Sequence, residues 1–179
     1  METRIPKPKE VAIPSAAFQA LRRTLLNEAG PLAASRALRS AGYGAGMALF
    51  DSFSREAGES PARLDRSTYF DRLGHFLGAR GWGDLRHSMP HPAIGLLTSG
   101  DWAEAGPAGG EAEPSCVFSS GMLSALLTRT AGAPVAVFQT GCRSRGDDEC
   151  SFAFGSAEAV DELHRLLEDR DLEAALAEL

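Results

Sequence analysis

Three cysteines, Cys116, Cys142 and Cys150, are the residues of this 179-residue chain whose type and placement best suit chemistry. The last two lie in VFQTGCRSRGDDECSFAF, which reads as a hairpin. Val135, Val137 and Gln139 alternate along a first strand, Gly146-Asp147-Asp148 forms a polar turn, and Phe152 and Phe154 mark a second strand. A hairpin with one cysteine on each arm brings two thiols together, and Cys116, just before a helix-like run, can complete the cluster. Three soft sulfur ligands around one point suit zinc, which usually takes a fourth ligand to close its tetrahedron. Two other readings stay open at this level. Buried free cysteines also behave as small hydrophobes. A Cys142–Cys150 disulfide is conceivable, but no signal peptide is seen and a reducing cytosol disfavours it. The spacing fits neither a paired CxxC ribbon nor a Cys-Cys-His-His finger.

No other set of residues spells out a reaction. His75, His87, His91 and His164 share no metal-ligand spacing. His75, between Gly74 and Phe76 on a core-packing helix, is the one considered for a pocket, against the plainer reading of a satisfied core histidine. Ser119 and Ser120 in FSSG do not form the GxSxG nucleophile elbow. Gly74, Gly78, Gly81 and Gly83 follow no strand and so make no dinucleotide fingerprint. No carboxylate pair stands out, and a non-enzymatic protein is expected.

The elements that must position these residues follow from periodicity and punctuation. Residues 1–14, rich in proline and lysine, read as an extended arm, and residues 15–179 as one domain. Ser15 reads as the cap of a helix that stops at Gly30. Pro31 opens a longer helix to about Ala57, with Gly42, Ala45, Leu49 and Phe53 on one face. Its glycines favour close helix approach, either in the core or across a homodimer, and the dimer is expected. A third helix starts near Asp65 and ends at Gly78 or Gly81. Strands follow at Gly83–Met89 and Ala93–Thr98, around Pro90-His91-Pro92. A loop at 106–114, a helix from about Cys116 to Thr130 and the cysteine hairpin come next. Ser156 caps a last helix, which EDRDLE interrupts. The fold class is therefore α+β, with an antiparallel meander of about four strands packed on several helices. An apolar pocket is expected from Phe76, Ile94, Leu96, Phe118 and Met122, with Trp82 or Trp102 near its rim and His75 as a polar handle. Stripes of this kind are also what an ordinary filled core requires.

Composition bounds the function. Hydrophobic residues make up 44%, charged residues 23%, and the net charge is −6 with a pI near 5.2. A chain this long buries about 70% of its unfolded surface, enough for a full core without staples. The acidic balance argues against sequence-independent nucleic-acid binding. No run approaches the roughly 20 apolar residues of a membrane span, and a cytoplasmic protein is expected.

The stretch PSCVFSSGMLSALLTRTAGAPVAVFQTGCRSRGDDECSFAF resembles the C-terminal half of the 4-vinyl reductase domain family. Its motif runs from a cysteine before a small-residue helix, through Glu-x-x-Cys and Gly-Asp, to Cys-x-Phe. SAGYGAGMALFDSF and GARGWGDL extend the resemblance upstream, to about residues 32–154. The resemblance implies the fold of the phenol- and xylene-responsive sensor modules, similar to TRAPP subunits and, more distantly, to haem nitric-oxide sensors. It implies a zinc held by Cys116, Cys142 and Cys150, with Gln139 at the position of the family's glutamate ligand. That exchange replaces an anionic oxygen by a poorer, neutral one, and water, Glu149, Asp147 or Asp148 are candidate substitutes.

The resemblance also implies a hydrophobic small molecule held between sheet and helices, hence a sensor or carrier. The tryptophan and histidine that hold the hydroxyl in phenol sensors have no clear counterparts, since the relevant strand reads AIGLLTSG. Two alternatives are an auxiliary role in bacteriochlorophyll 8-vinyl reduction and a structural dimerisation module. The first needs an electron donor for which no nicotinamide, flavin or iron–sulfur motif is present. With no ATPase or DNA-binding segment in the sequence, any transcriptional output is expected to come from a separate protein.

Overall fold

The computed structural model describes residues 10–107 and 109–179. Most of the expected arm over residues 1–14 thus lies outside the described residues. Residues 10–14 have no regular structure, and Glu10 accepts hydrogen bonds from Ser52 Oγ at 2.6 Å and Arg80 Nε at 2.9 Å.

Helix α1 (Ser15–Glu56) contains both N-terminal helices expected from the sequence, joined at a kink. Gly30, at φ 77° and ψ 166°, leaves helical geometry there, and Pro31 restarts the helix from a position where its missing N–H costs nothing. Pro14, not Ser15, occupies the N-cap position. A 3₁₀ turn (Pro61–Arg63) leads to α2 (Arg66–Gly78), where Asp65 Oδ1 accepts from Thr68 N at 3.1 Å.

Strands β1 (Arg86–His91) and β2 (Ile94–Ser99) form a hairpin. The turn is Pro92-Ala93, so Pro90 and His91 belong to β1 and not to the expected turn. Pro90 is tolerated because β1 is an edge strand and its register shifts between Ser88 and His91. Helix α3 (Val117–Ala131) then crosses to β3 (Ala136–Gly141) and β4 (Cys150–Gly155). All pairings are antiparallel and the order is β1-β2-β4-β3. The fold class is the α+β one expected, with four strands, but β4 inserts between β2 and β3 where a simple meander would run in sequence order. Ser156 caps α4 (Ala157–Leu166), and α5 (Leu172–Glu178) follows the acidic interruption.

The sheet separates two apolar clusters. On one face α1, α2 and α3 contribute Phe53, Leu73, Phe76, Leu77, Met122 and Leu126 against Leu97, Val137 and Phe152. On the other, α4 and α5 contribute Val160, Leu163, Leu166 and Ala175 against Ile94, Leu96 and Ala153. The glycines of α1 are used inside the chain. A Cβ at Gly42 would overlap the carbonyl oxygen of Phe118, one at Gly46 that of Met122, and one at Gly121 that of Arg39. These residues let α1 and α3 run backbone against backbone, so the small-residue run that motivated a dimer has an intrachain explanation. No helix among the described residues is long and apolar enough to cross a membrane.

Candidate functional site

The hairpin and the start of α3 meet where the sequence placed the cysteines. Cys142 follows β3, Cys150 opens β4, Cys116 is the N-cap residue of α3, and all three are fully buried. Cys116 Sγ lies 3.8 Å from both Cys142 Sγ and Cys150 Sγ, and the three sulfurs all fall within 4.8 Å of one another. They are free thiols. A disulfide would need about 2.05 Å between sulfurs. Sulfurs on a tetrahedral zinc, with bonds of about 2.3 Å, sit roughly 3.8 Å apart. The three cysteines lie close together and could bind a metal.

The surroundings distinguish the thiols. Cys142 Sγ receives the backbone N–H of Ser115 at 3.4 Å and lies 2.9 Å from Ser144 Oγ. Its sulfur neighbours first, then these donors, hold its pKa below the ordinary thiol value. Cys116 moves the other way, pushed up by hydrogen bonding with Cys142 and Cys150 and by burial. Cys142 is therefore the thiol to which Ser115 and Ser144 bring hydrogen-bond donors that favour a thiolate.

The Gln139 amide is hydrogen-bonded to the backbone beside the thiols. Its Oε1 accepts from Cys116 N at 2.9 Å and its Nε2 donates to Gly141 O at 3.1 Å. The side chain thereby fixes the backbone that carries Cys116. The carboxylates considered as substitutes are placed elsewhere. Asp147 accepts from Cys142 N at 2.6 Å and from Arg145 Nη2 at 2.7 Å. Glu149 pairs with Arg86 at 2.6 Å, and Asp148 is exposed. Arg145, next to this turn, is engaged by Asp147.

The expected pocket residues divide into three places. Trp102 and Phe118 come together with Trp82 and Phe18 in an aromatic cluster. Trp82 and Trp102 have centroids 5.7 Å apart, Trp82 stacks on Phe118 at 5.9 Å, and Phe18 meets Phe118 edge-on at 4.7 Å. Trp82 is the rim residue, whereas Trp102 is 1% exposed. Met122 and Phe76 belong to the same face of the sheet, Phe76 packing against Phe53 at 5.2 Å. Ile94 and Leu96 face α4 and α5 across the sheet and cannot share a cavity with them, because alternate residues of β2 point to opposite faces. His75 is exposed on α2, lining an open groove with His87 and Asp101 rather than an apolar interior.

A buried polar chain beneath the aromatic cluster ends in Glu104, a residue not singled out from sequence. Trp102 Nε1 donates to Ser119 Oγ at 2.7 Å, and Ser119 Oγ donates to Glu104. Glu104, 5% exposed, also accepts from Phe118 N at 3.0 Å and Ser119 N at 2.7 Å. It thus caps α3 from a distant loop, in place of a side-chain cap from Cys116. Burial lifts its pKa to about 7, against the pull of these donors. The only local sign in the sequence is a helix start lacking Ser, Thr, Asp or Asn at its cap position.

The fold has well-described relatives. Over 95% of its length the chain is similar to the phenol-responsive sensory domain of the transcription activator PoxR with phenol (TM-score 0.65, 15% identity, 83% of that chain). It is also similar to a trafficking protein particle complex subunit 3 from Naegleria fowleri covalently bound to palmitic acid (TM-score 0.63, 16% identity, 79% of this chain and 91% of that one). A vinyl-4-reductase family protein from Methanocaldococcus jannaschii aligns with TM-score 0.52, 18% identity and 83% of each chain. No curated protein matches the sequence. Residues 102–156, which hold Trp102, Glu104, all three cysteines and the hairpin, match the family model of the V4R domain, in keeping with the resemblance to the 4-vinyl reductase domain family drawn from the cysteine motif.

Proposed function

We propose that this protein is a non-enzymatic sensor or carrier that binds a hydrophobic small molecule carrying one hydrogen-bonding group. The molecule would sit at the aromatic cluster of Phe18, Trp82, Trp102 and Phe118, with its polar group toward Ser119 and Glu104. The observation that carries the reading is the buried Trp102–Ser119–Glu104 chain under an otherwise apolar cluster, the combination by which small-molecule sites obtain both affinity and orientation. A fold shared with a sensory domain solved with phenol supports it. Phe18, on the segment of α1 before the kink at Gly30, packs edge-on against Phe118 and Trp82.

The same proposal includes a structural zinc on Cys116, Cys142 and Cys150, which when bound would tie the hairpin to the start of α3. The sulfur spacing and complete burial support it. Three thiolates against Zn²⁺ leave one net negative charge, and Ser115 N–H and Ser144 Oγ stand where they stabilise it at Cys142. A homodimer through the outer face of α1, where Leu32 and Tyr43 remain exposed, completes the proposal. Light scattering giving a monomer at high micromolar concentration would remove that part.

The test of the ligand site is tryptophan fluorescence during titration with phenol, 4-ethylphenol and ethylbenzene. A saturable change is expected, stronger for the phenols than for the hydrocarbon, and weakened in Ser119→Ala. Absence of any saturable change with all three, or an unchanged response in Ser119→Ala, contradicts the reading.

A further inference from the structure

We infer that the chain carries a second ligand site, distinct from the aromatic cluster, for an amphipathic organic anion: an apolar body with a carboxylate-like head. The site is a cavity of about 420 Å³ at the kink of α1, bounded by α1, the start of α3 and the edge strand β3. That volume lies within the range of small-molecule sites. Leu26 and Leu38 of α1, Val117 of α3 and Phe138 of β3 supply its apolar lining.

The charged lining decides the ligand class. In a chain of net charge −6, this cavity gathers Arg22, Arg36 and Arg39 against Glu113 alone. Arg22 is already committed, pairing with Glu111 at 2.6 Å. Arg36 and Arg39 have no carboxylate partner among the described residues. Arg39 donates from Nη1 to the carbonyl of Val137 at 3.2 Å, at the free edge of the sheet. It keeps an exposed surface, yet packing around its guanidinium lowers its pKa. A guanidinium that makes one hydrogen bond, to a carbonyl, has donors left over, and a carboxylate offers it the paired geometry it lacks. Ser35 and Ser120 add hydroxyls to the same wall. Glu113 faces the opposite sign and selects against ligands with more than one negative charge.

The backbone holding these groups is rigid. Gly121 admits the carbonyl of Arg39 into direct contact with α3, which fixes Arg39 relative to Val117 and Ser120. Val117 and Ser120 line this cavity, whereas Phe118 and Ser119 belong to the aromatic and polar cluster, so α3 separates the two sites. Gln139, the residue that orients Cys116, forms part of the cavity lining.

The experiment is an NMR and calorimetric titration of the whole chain with 2-naphthoate, its neutral counterpart 2-naphthalenemethanol, and inorganic phosphate. Binding of naphthoate is expected to shift the amides of Val117 and Ser120, to weaken several-fold with added salt, and to drop at least tenfold in Arg36→Glu. Arg39→Gln is expected to give a similar loss, and the exposed Arg36 variant keeps the test open if Arg39→Gln misfolds. Equal binding of the acid and the alcohol, unchanged affinity in Arg36→Glu, or no binding at millimolar concentration overturns the inference. Phosphate binding as tightly as naphthoate overturns the amphipathic class. Shifts confined to the indole N–H signals of Trp82 and Trp102 place the acid in the aromatic cluster and also overturn it. Failure of the aromatic site with phenols leaves these outcomes untouched, so the two readings stand or fall separately.

Discussion

The two faces of the sheet are built to different rules. Toward α4 and α5, Ile94, Leu96, Ala153, Val160, Leu163 and Leu166 make a cluster of aliphatic groups. Toward α1, α2 and α3, the interior also holds three thiols, a carboxylate, an amide and several serine hydroxyls. Each buried polar group costs free energy unless it is hydrogen-bonded. Gln139, Glu104, Ser115, Ser119 and Ser144 are all paired. A fold that needed only stability could have filled both faces as it filled the α4 side. Under the proposed function, the polar groups on the α1–α3 side are where binding is concentrated.

That contrast can be broken, beginning with the largest expected effect. Cys142→Ser should release the metal and destabilise the chain by about 4 kcal/mol or more, roughly 10 °C in Tm, in thermal melts with and without chelator. A metal-free wild type melting identically under both conditions would reduce the thiols to ordinary buried groups. Leu163→Ala, on the aliphatic face and fully buried, should cost about 2–5 kcal/mol in denaturant melts while leaving metal content and phenol binding intact. Loss of metal in that variant would mean the faces are coupled and the division is false.

The glycines of α1 give a paired test of smaller effects. Gly42→Ala should destabilise by about 1–3 kcal/mol, because its methyl meets the Phe118 backbone. A Cβ at Gly44 meets nothing within 4 Å. Gly44→Ala should therefore stabilise by up to about 1 kcal/mol through helix propensity alone. Opposite signs two residues apart would locate the seam inside the chain, and equal signs would not.

A pH dependence is expected as well. Burial raises Glu104 from 4.5 to about 7, so its protonated form is favoured in the folded state. Its contribution to stability is fully present below the unfolded pKa and is lost as pH rises through about 7. Glu104→Gln cannot ionise, so its Tm relative to wild type should rise between pH 5 and pH 8. A constant difference across that window would mean Glu104 is charged in the fold throughout.

The sequence disclosed the cysteine centre because a hairpin with a thiol on each arm admits few other geometries. It disclosed the break at Gly30-Pro31, the helix start near Asp65 and the cap at Ser156, since these are local signals. It placed Ile94 and Leu96 on one face, but on the wrong one, beside Phe76, Phe118 and Met122. Both faces of β2 are covered, so alternation carries no direction. Ser15 lost its cap because Pro14 sets the entry to α1, a choice one residue wide. His75 was drawn inward by Phe76, although one helical step of about 100° is enough to turn it to solvent. Glu104 was invisible for a different reason. It caps α3 from a loop 15 residues before Ser119, and no local pattern announces a cap supplied from outside the helix.

Native mass spectrometry of protein purified without chelator tests most directly whether the α1–α3 side of the sheet binds metal and ligand. The predicted spectrum carries one zinc per chain in the wild type, none in Cys142→Ser, and an added phenol retained by the wild type. A wild-type mass equal to the bare chain, with no metal and no retained phenol, would contradict it.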